Sequence, residues 1–132
     1  MMDNIKVGLS AVIETISQPK DSAVNYASGV VDVFSTPSMI ALMECAAKNA
    51  VDLHLEKGYT TVGTRIHIKH IAATPTGMRI KACAELVKRE GKKLIFKVEA
   101  YDEVEKIGEG IHERHVVNID KFISRAMIKR KK

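Results

Sequence analysis

Three side chains could between them break an acyl bond: Thr36, Glu44 and His70. They supply a hydroxyl, a carboxylate and an imidazole. From such parts a nucleophile or held water, a general base and an orienting partner are assembled for acyl transfer. Glu44 is the most telling of the three, because the run 30–47 around it is otherwise almost free of charge. An ionised carboxylate buried without partners is costly or takes up a proton, so a Glu in such a run has either hydrogen-bond partners or a task. Its ordinary alternative is a solvent-reaching residue on a helix rim. Thr36 precedes Pro37 at what reads as a helix start, where unpaired backbone N–H groups and the positive dipole end suit an oxyanion. Thr36 could instead be a cap, and His70 a hydrogen-bonded strand residue.

Arg114 lies in a strand between Glu113 and His115 and could clamp an anion with two parallel N–H groups, or form a cross-strand ion pair. The histidines do not suggest a metal. His67 and His70, three apart, fall on opposite faces of a regular strand, and His112 with His115 likewise. His54 reads as a surface residue of the helix. Cys45 and Cys83 stand far apart in no ligand spacing and read as reduced structural thiols, so zinc is not implied.

The elements that must position these groups follow from periodicity. Residues 6–16 alternate, with Val7, Leu9, Ala11 and Ile13 on one side, and predict a first strand. Residues 17–29 are polar and irregular, a loop long enough to serve as a lid or wall. A helix follows, with Thr36 as N-cap, Pro37 at N1 and Gly58 as its stop; its first half is apolar nearly all round, as in a helix wrapped by other structure. Beyond Gly58 the period is two. Strands are expected over 59–73, 78–87, from Leu94 to Ala100 and over 106–119, with a tight hairpin at Glu90-Gly91-Lys92 and glycines 108 and 110 marking a bulge or close approach. Phe122, Ile123, Ala126 and Met127 suggest a short helix over 120–128. Strands segregated from one buried helix predict an α+β hot-dog arrangement, an antiparallel sheet of about five strands wrapped around a central helix. Its exposed edges make homodimerisation by edge pairing the natural expectation.

The 132 residues fit one domain, 1–132, with 45% hydrophobic and 28% charged residues as in soluble globular proteins. No apolar stretch approaches the ~20 residues of a membrane span, and the N-terminus lacks the pattern of a signal peptide, so a cytoplasmic protein is expected. The net charge of +5 is largely the tail Lys129-Arg130-Lys131-Lys132. With 5% aromatic residues there is no stacking platform beside it, and nucleic-acid binding is not expected.

Three segments carry a resemblance: Leu42-Met43-Glu44; Gly63-Thr64 with His70-Ile71-Ala72-Ala73-Thr74-Pro75-Thr76-Gly77; and Ile107-Gly108-Glu109-Gly110-Ile111-His112-Glu113-Arg114. Over nearly its whole length the chain resembles the fluoroacetyl-CoA thioesterase-like family of hot-dog proteins. The resemblance implies hydrolysis of an acyl-CoA without metal or prosthetic group. Thr36 would be the nucleophile or hold the water, His70 the general base and acid, and Glu44 the partner that activates or orients them. Gly63 would line the acyl pocket or donate an N–H, and Arg114 would help hold the substrate. The fluoroacetate-specific member has an aromatic lid before the helix, whereas this chain has Val24, Tyr26, Ala27, Val30 and Val31, with Phe34 nearer the helix; a short-chain acyl group is therefore expected. A non-catalytic acyl-CoA or small-ligand binding module is the alternative.

Overall fold

The structure, a computed structural model, describes residues 2–26 and 29–131. Met1, Ala27 of the expected lid and Lys132 of the basic tail lie outside the described residues. Five strands, β1 (Ser10–Ile16), β2 (Tyr59–His70), β3 (Arg79–Glu90), β4 (Lys93–Tyr101) and β5 (Lys106–Asn118), form one antiparallel sheet in the order β1-β3-β4-β5-β2. Helix α1 (Thr36–Asp52) lies between β1 and β2 in sequence, and helix α2 (Ile119–Met127) follows β5. None of the helices is long and apolar enough to cross a membrane among the described residues.

Met39, Met43, Ala46, Ala47, Ala50 and Val51 recur at helical spacing and are buried against the sheet. The sheet answers at period two with Ile80, Ala82, Ala84 and Leu86 of β3 and Leu94, Phe96, Val98 and Ala100 of β4. Alanines at three of these eight positions let the helix settle close. The expected wrapping of α1 is one-sided, however: Ala41, Lys48 and Asn49 are exposed and Leu42, Glu44 and Cys45 half-exposed.

Several expected boundaries shift. β1 begins at Ser10 rather than residue 6, because Gly8 turns the chain with φ 105°; Val7 is left exposed, while Leu9, Ala11 and Ile13 pack on the core. α1 ends at Asp52, six residues before Gly58, and Leu53 is 95% exposed. The N-cap is Ser35, not Thr36: the Ser35 side chain accepts from Ser38 N–H at 3.2 Å. The irregular stretch before α1 includes turns of 3-10 helix at Pro19–Asp21 and Ala23–Tyr26. β2 ends at His70, and the chain from Ile71 to Met78 is tied down by Thr74, whose buried hydroxyl donates to Asp102 and whose carbonyl accepts from Phe34 N–H.

The glycines of β5 are places of close approach. A Cβ at Gly108 would lie 2.5 Å from Met39 Sδ, and one at Gly110 would lie 2.1 Å from the His67 carbonyl oxygen. Gly108 pairs with His70 across the ladder, so the missing side chain lets the first turn of α1 come down onto the end of β2. β2 itself has β5 on one side and forms one edge of the sheet, twelve residues long.

Candidate active site

Because Ser35 caps the helix, the Thr36 hydroxyl is released from that duty, and it meets His70 Nδ1 at 2.7 Å. This hydroxyl–imidazole pair is joined by two elements remote in sequence, the start of α1 and the end of β2, at the place where Gly108 lets them touch. A cleft of about 380 Å³ opens beside it, lined by Ala23, Val31, Val33, Ile71, Ala72 and Ala73 among others. Of the first-turn donors, Pro37 has none, Ser38 N–H goes to the Ser35 hydroxyl and Met39 N–H to the Ser35 carbonyl. Thr36 N–H is left without a partner among the described residues, so the expected set of free donors reduces to one.

Burial lowers the His70 pKa below its ordinary value, with the Ala72 backbone pulling the other way. The ring is therefore neutral at pH 7, with one nitrogen able to accept the Thr36 proton. Its other nitrogen, Nε2, is buried and has no hydrogen-bond partner among the described residues. When Nδ1 accepts, Nε2 carries the proton and is a buried donor lacking an acceptor, a costly arrangement for a group left as it stands.

Glu44 is not in that cleft. Eight residues beyond Thr36, it lies about 12 Å further along the helix axis at 1.5 Å per residue. It stands instead against the middle of β2, where a Cβ on Gly63 would come within 2.7 Å of its Oε2. Its side chain is 40% exposed on the open side of α1. Arg114 Nη1 faces Oε2 at 4.0 Å. The guanidinium is buried, and its paired Nε and Nη2 donors both go to Thr61, to the hydroxyl at 2.8 Å and the carbonyl at 2.9 Å. The edge that could have gripped an anion is thus spent inside the chain, and Arg114 pairs with the helix rather than across strands. His112, passed over as half of a failed metal pair, is fully buried between Arg114 and the Arg65 carbonyl. A sequence signal existed: residues 112, 114 and 116 share one face of β5, and Val116 is an apolar core residue.

Gly63 opens a bulge in the β2–β5 register between residues 63 and 65. Its φ is not in the left-handed region, so alanine is permitted by the backbone; the clash is with the far end of the Glu44 side chain, and His112 Cε1 would be at 3.2 Å. Gly63→Ala is expected to displace the carboxylate and spare the fold: a melting temperature within about 4 °C of wild type, less than ~1 kcal/mol for a chain of this size, but turnover down about tenfold. Thermal melts and steady-state kinetics on one preparation check this.

Five antiparallel strands curled around one helix, with a hydroxyl–imidazole pair where that helix starts, define a hot-dog protein of the thioesterase class. Among solved structures, that of the fluoroacetyl-CoA thioesterase FlK is 34% identical with a TM-score of 0.87, over 98% of this chain and 99% of the other. A variant of FlK in complex with acetyl-CoA gives 0.88 over 94% and 98%. A thioesterase superfamily member from Thermus thermophilus gives 0.88 at 30% identity over 98% and 97%. A curated relative, the fluoroacetyl-CoA thioesterase of Streptantibioticus cattleyicolor, is 44% identical over 91 residues, 69% of this chain and 66% of that protein, just under two thirds of its length. The family model for fluoroacetyl-CoA-specific thioesterase, FlK, matches residues 18–120, and the chain belongs to that family.

Proposed function

We propose that the chain is an acyl-CoA thioesterase that works as a homodimer and hydrolyses a short-chain acyl-CoA to the free acid and CoA. The observation that carries this reading is the 2.7 Å contact between Thr36 Oγ1 and His70 Nδ1 at the mouth of an apolar cleft. The attacking oxygen is that of Thr36 or of a water bonded to it. His70 takes its proton as the C–O bond forms at the thioester carbonyl, the carbonyl oxygen draws on Thr36 N–H, and the C–S bond breaks with the His70 proton passing to the departing CoA sulfur. A threonyl ester, where formed, is cleared by water through the same base.

Glu44 completes the site from a second chain. Edge-to-edge antiparallel pairing of two β2 strands about a twofold axis near Ile66 and His67 sets residue 63 of one chain opposite residue 70 of the other. The carboxylate beside Gly63 then arrives at the orphaned Nε2 of the opposite His70, holding the ring in the tautomer that accepts from Thr36. Arg114, turned inward, steadies Glu44 rather than reaching the substrate.

The cleft is lined largely by small and aliphatic residues, Ala23, Val31, Val33, Ala72 and Ala73, with Phe34 and Ile71 as its larger walls, and this apolar lining favours a short unfunctionalised acyl chain. Two free thiols, Cys45 and Cys83, fit a reducing cytoplasm. A panel of acyl-CoAs followed with a thiol reagent should give turnover that largely disappears in Thr36→Ala; saturable binding without CoA release across the panel would instead establish a binding module.

The pH dependence follows from the buried imidazole. With the folded pKa of His70 lowered, the neutral base persists as pH falls through 6.5, its ordinary value, and is lost only below the depressed pKa. A profile of kcat/KM should decline with acid about a midpoint below that value. A decline centred well above it contradicts His70 as the base.

A further inference from the structure

We propose that His112 is a positioning residue of the thioesterase site, acting through Arg114 to fix where the Glu44 carboxylate stands; this rests on the role given to Glu44 above. His112 is fully buried on β5, with Phe96 of β4 at a ring-centroid distance of 6.4 Å. Its Nδ1 is 2.8 Å from the Arg65 carbonyl oxygen, which can only accept, so Nδ1 carries the proton. Its Nε2 is then a bare acceptor and takes an N–H of Arg114 Nη1 at 3.1 Å. That same Nη1 is the group facing Glu44 at 4.0 Å.

Thr61 holds the other two arms of the guanidinium, so the fork is fixed on three sides, and the third side is His112. Only one state of the ring can do this. A protonated His112, or one with its proton on Nε2, would aim N–H at N–H and push Arg114 Nη1 off its line to Glu44. The charged and titratable groups around the ring are Arg114 and Glu113 on its own strand and Glu44 on α1. Burial and Arg114 disfavour the protonated form, in agreement with the hydrogen-bond pattern. Gly63 adds a steric limit: a Cβ there would touch both Glu44 Oε2 and His112 Cε1, so carboxylate and ring share one recess in β2.

The test compares kcat and KM for wild type, Glu44→Gln, His112→Leu, His112→Gln and the double variant Glu44→Gln/His112→Leu, with thermal melts on each. His112→Leu should lower kcat about tenfold or more with KM within about twofold. His112→Gln, whose amide can both donate to Arg65 and accept from Arg114, should return to within about threefold of wild type. The His112→Leu loss should vanish in the Glu44→Gln background, since a residue acting through Glu44 has nothing left to position. Losses that multiply in the double variant, or a folded His112→Leu with wild-type kcat, overturn the proposal while leaving the role of Glu44 intact. Wild-type rates in Glu44→Gln remove that role and this inference with it. If His112→Leu does not fold, the tautomer decides on the intact enzyme: nitrogen-15 spectra should show Nδ1–H, and an Nε2–H ring overturns the proposal.

Discussion

His70→Ala is expected to lower kcat on the preferred acyl-CoA by about a thousandfold, roughly 4 kcal/mol of barrier, with KM changed by no more than a few-fold. The size follows from what the ring does. Among the described residues Nδ1 is the acceptor placed against the Thr36 hydroxyl, and without it neither that oxygen nor a water beside it sheds its proton readily as the new bond forms. The fold should be spared, because His70 lies at the end of β2 with its ring at a cleft rather than in the core, and its ladder partner Gly108 contributes no side chain to be orphaned. Steady-state kinetics with a thiol reagent, beside a thermal melt, check both halves. Thr36→Ala should fall by a comparable factor, and the double variant little further, since hydroxyl and imidazole act as one unit. A His70→Ala enzyme within tenfold of wild type would mean that the 2.7 Å contact is structural only.

The second large effect distinguishes where Glu44 acts. Glu44→Ala alone should lose about two to four orders of magnitude in kcat, the span of general acid–base assistance, with the loss of an orienting carboxylate at its upper end. Mixed with His70→Ala under conditions that exchange subunits, it should recover activity. In a mixed dimer one site has lost both groups, while the other takes intact His70 from one chain and intact Glu44 from the other. With random exchange half the dimers are mixed and half their sites are whole, so about a quarter of wild-type activity returns. If Glu44 served the His70 of its own chain, every site in the mixture would carry one lesion and nothing would be regained. The two inactive parents make the background low and the readout clear.

Much of the fold was legible in the residues alone because its periodicities are strong. β3 and β4 alternate apolar and polar side chains almost without fault, and Met39, Met43, Ala46 and Ala50 repeat at helical spacing, so a sheet on one helix could be read directly. Boundaries were less so. Ser35 and Thr36 are adjacent residues that can both cap, Ser somewhat the better, and the contact of Thr36 with His70, 34 positions away, is one that no local pattern reveals. Gly58 could pass for the stop of α1, yet the helix unwinds after Asp52 where Leu53 and His54 no longer face the sheet.

The trio was identifiable by residue type, but its gathering was not. Thr36 and His70 meet within the chain, whereas Glu44 keeps company with Gly63, His112 and Arg114. A spacing of eight along a helix was the available warning, since it separates two side chains by more than a hydrogen bond can span. Arg114 was open to two readings because its exposure was unknown. Only burial, with Thr61 taking two of its donors, decides that it faces inward.

Gly108 and Gly110 leave β5 bare where the end of β2 and the first turn of α1 rest on it, and any larger residue there collides with Met39 or with the His67 carbonyl. The walls of the cleft are under no such restraint: Val31 is 58% exposed, and Ile71 50%. Natural variation can therefore redraw the acyl preference through residues 29–33 and 71–73 while the reactive pair keeps its geometry. Relatives that diverge in diet should differ in the rim and agree at these two bare positions.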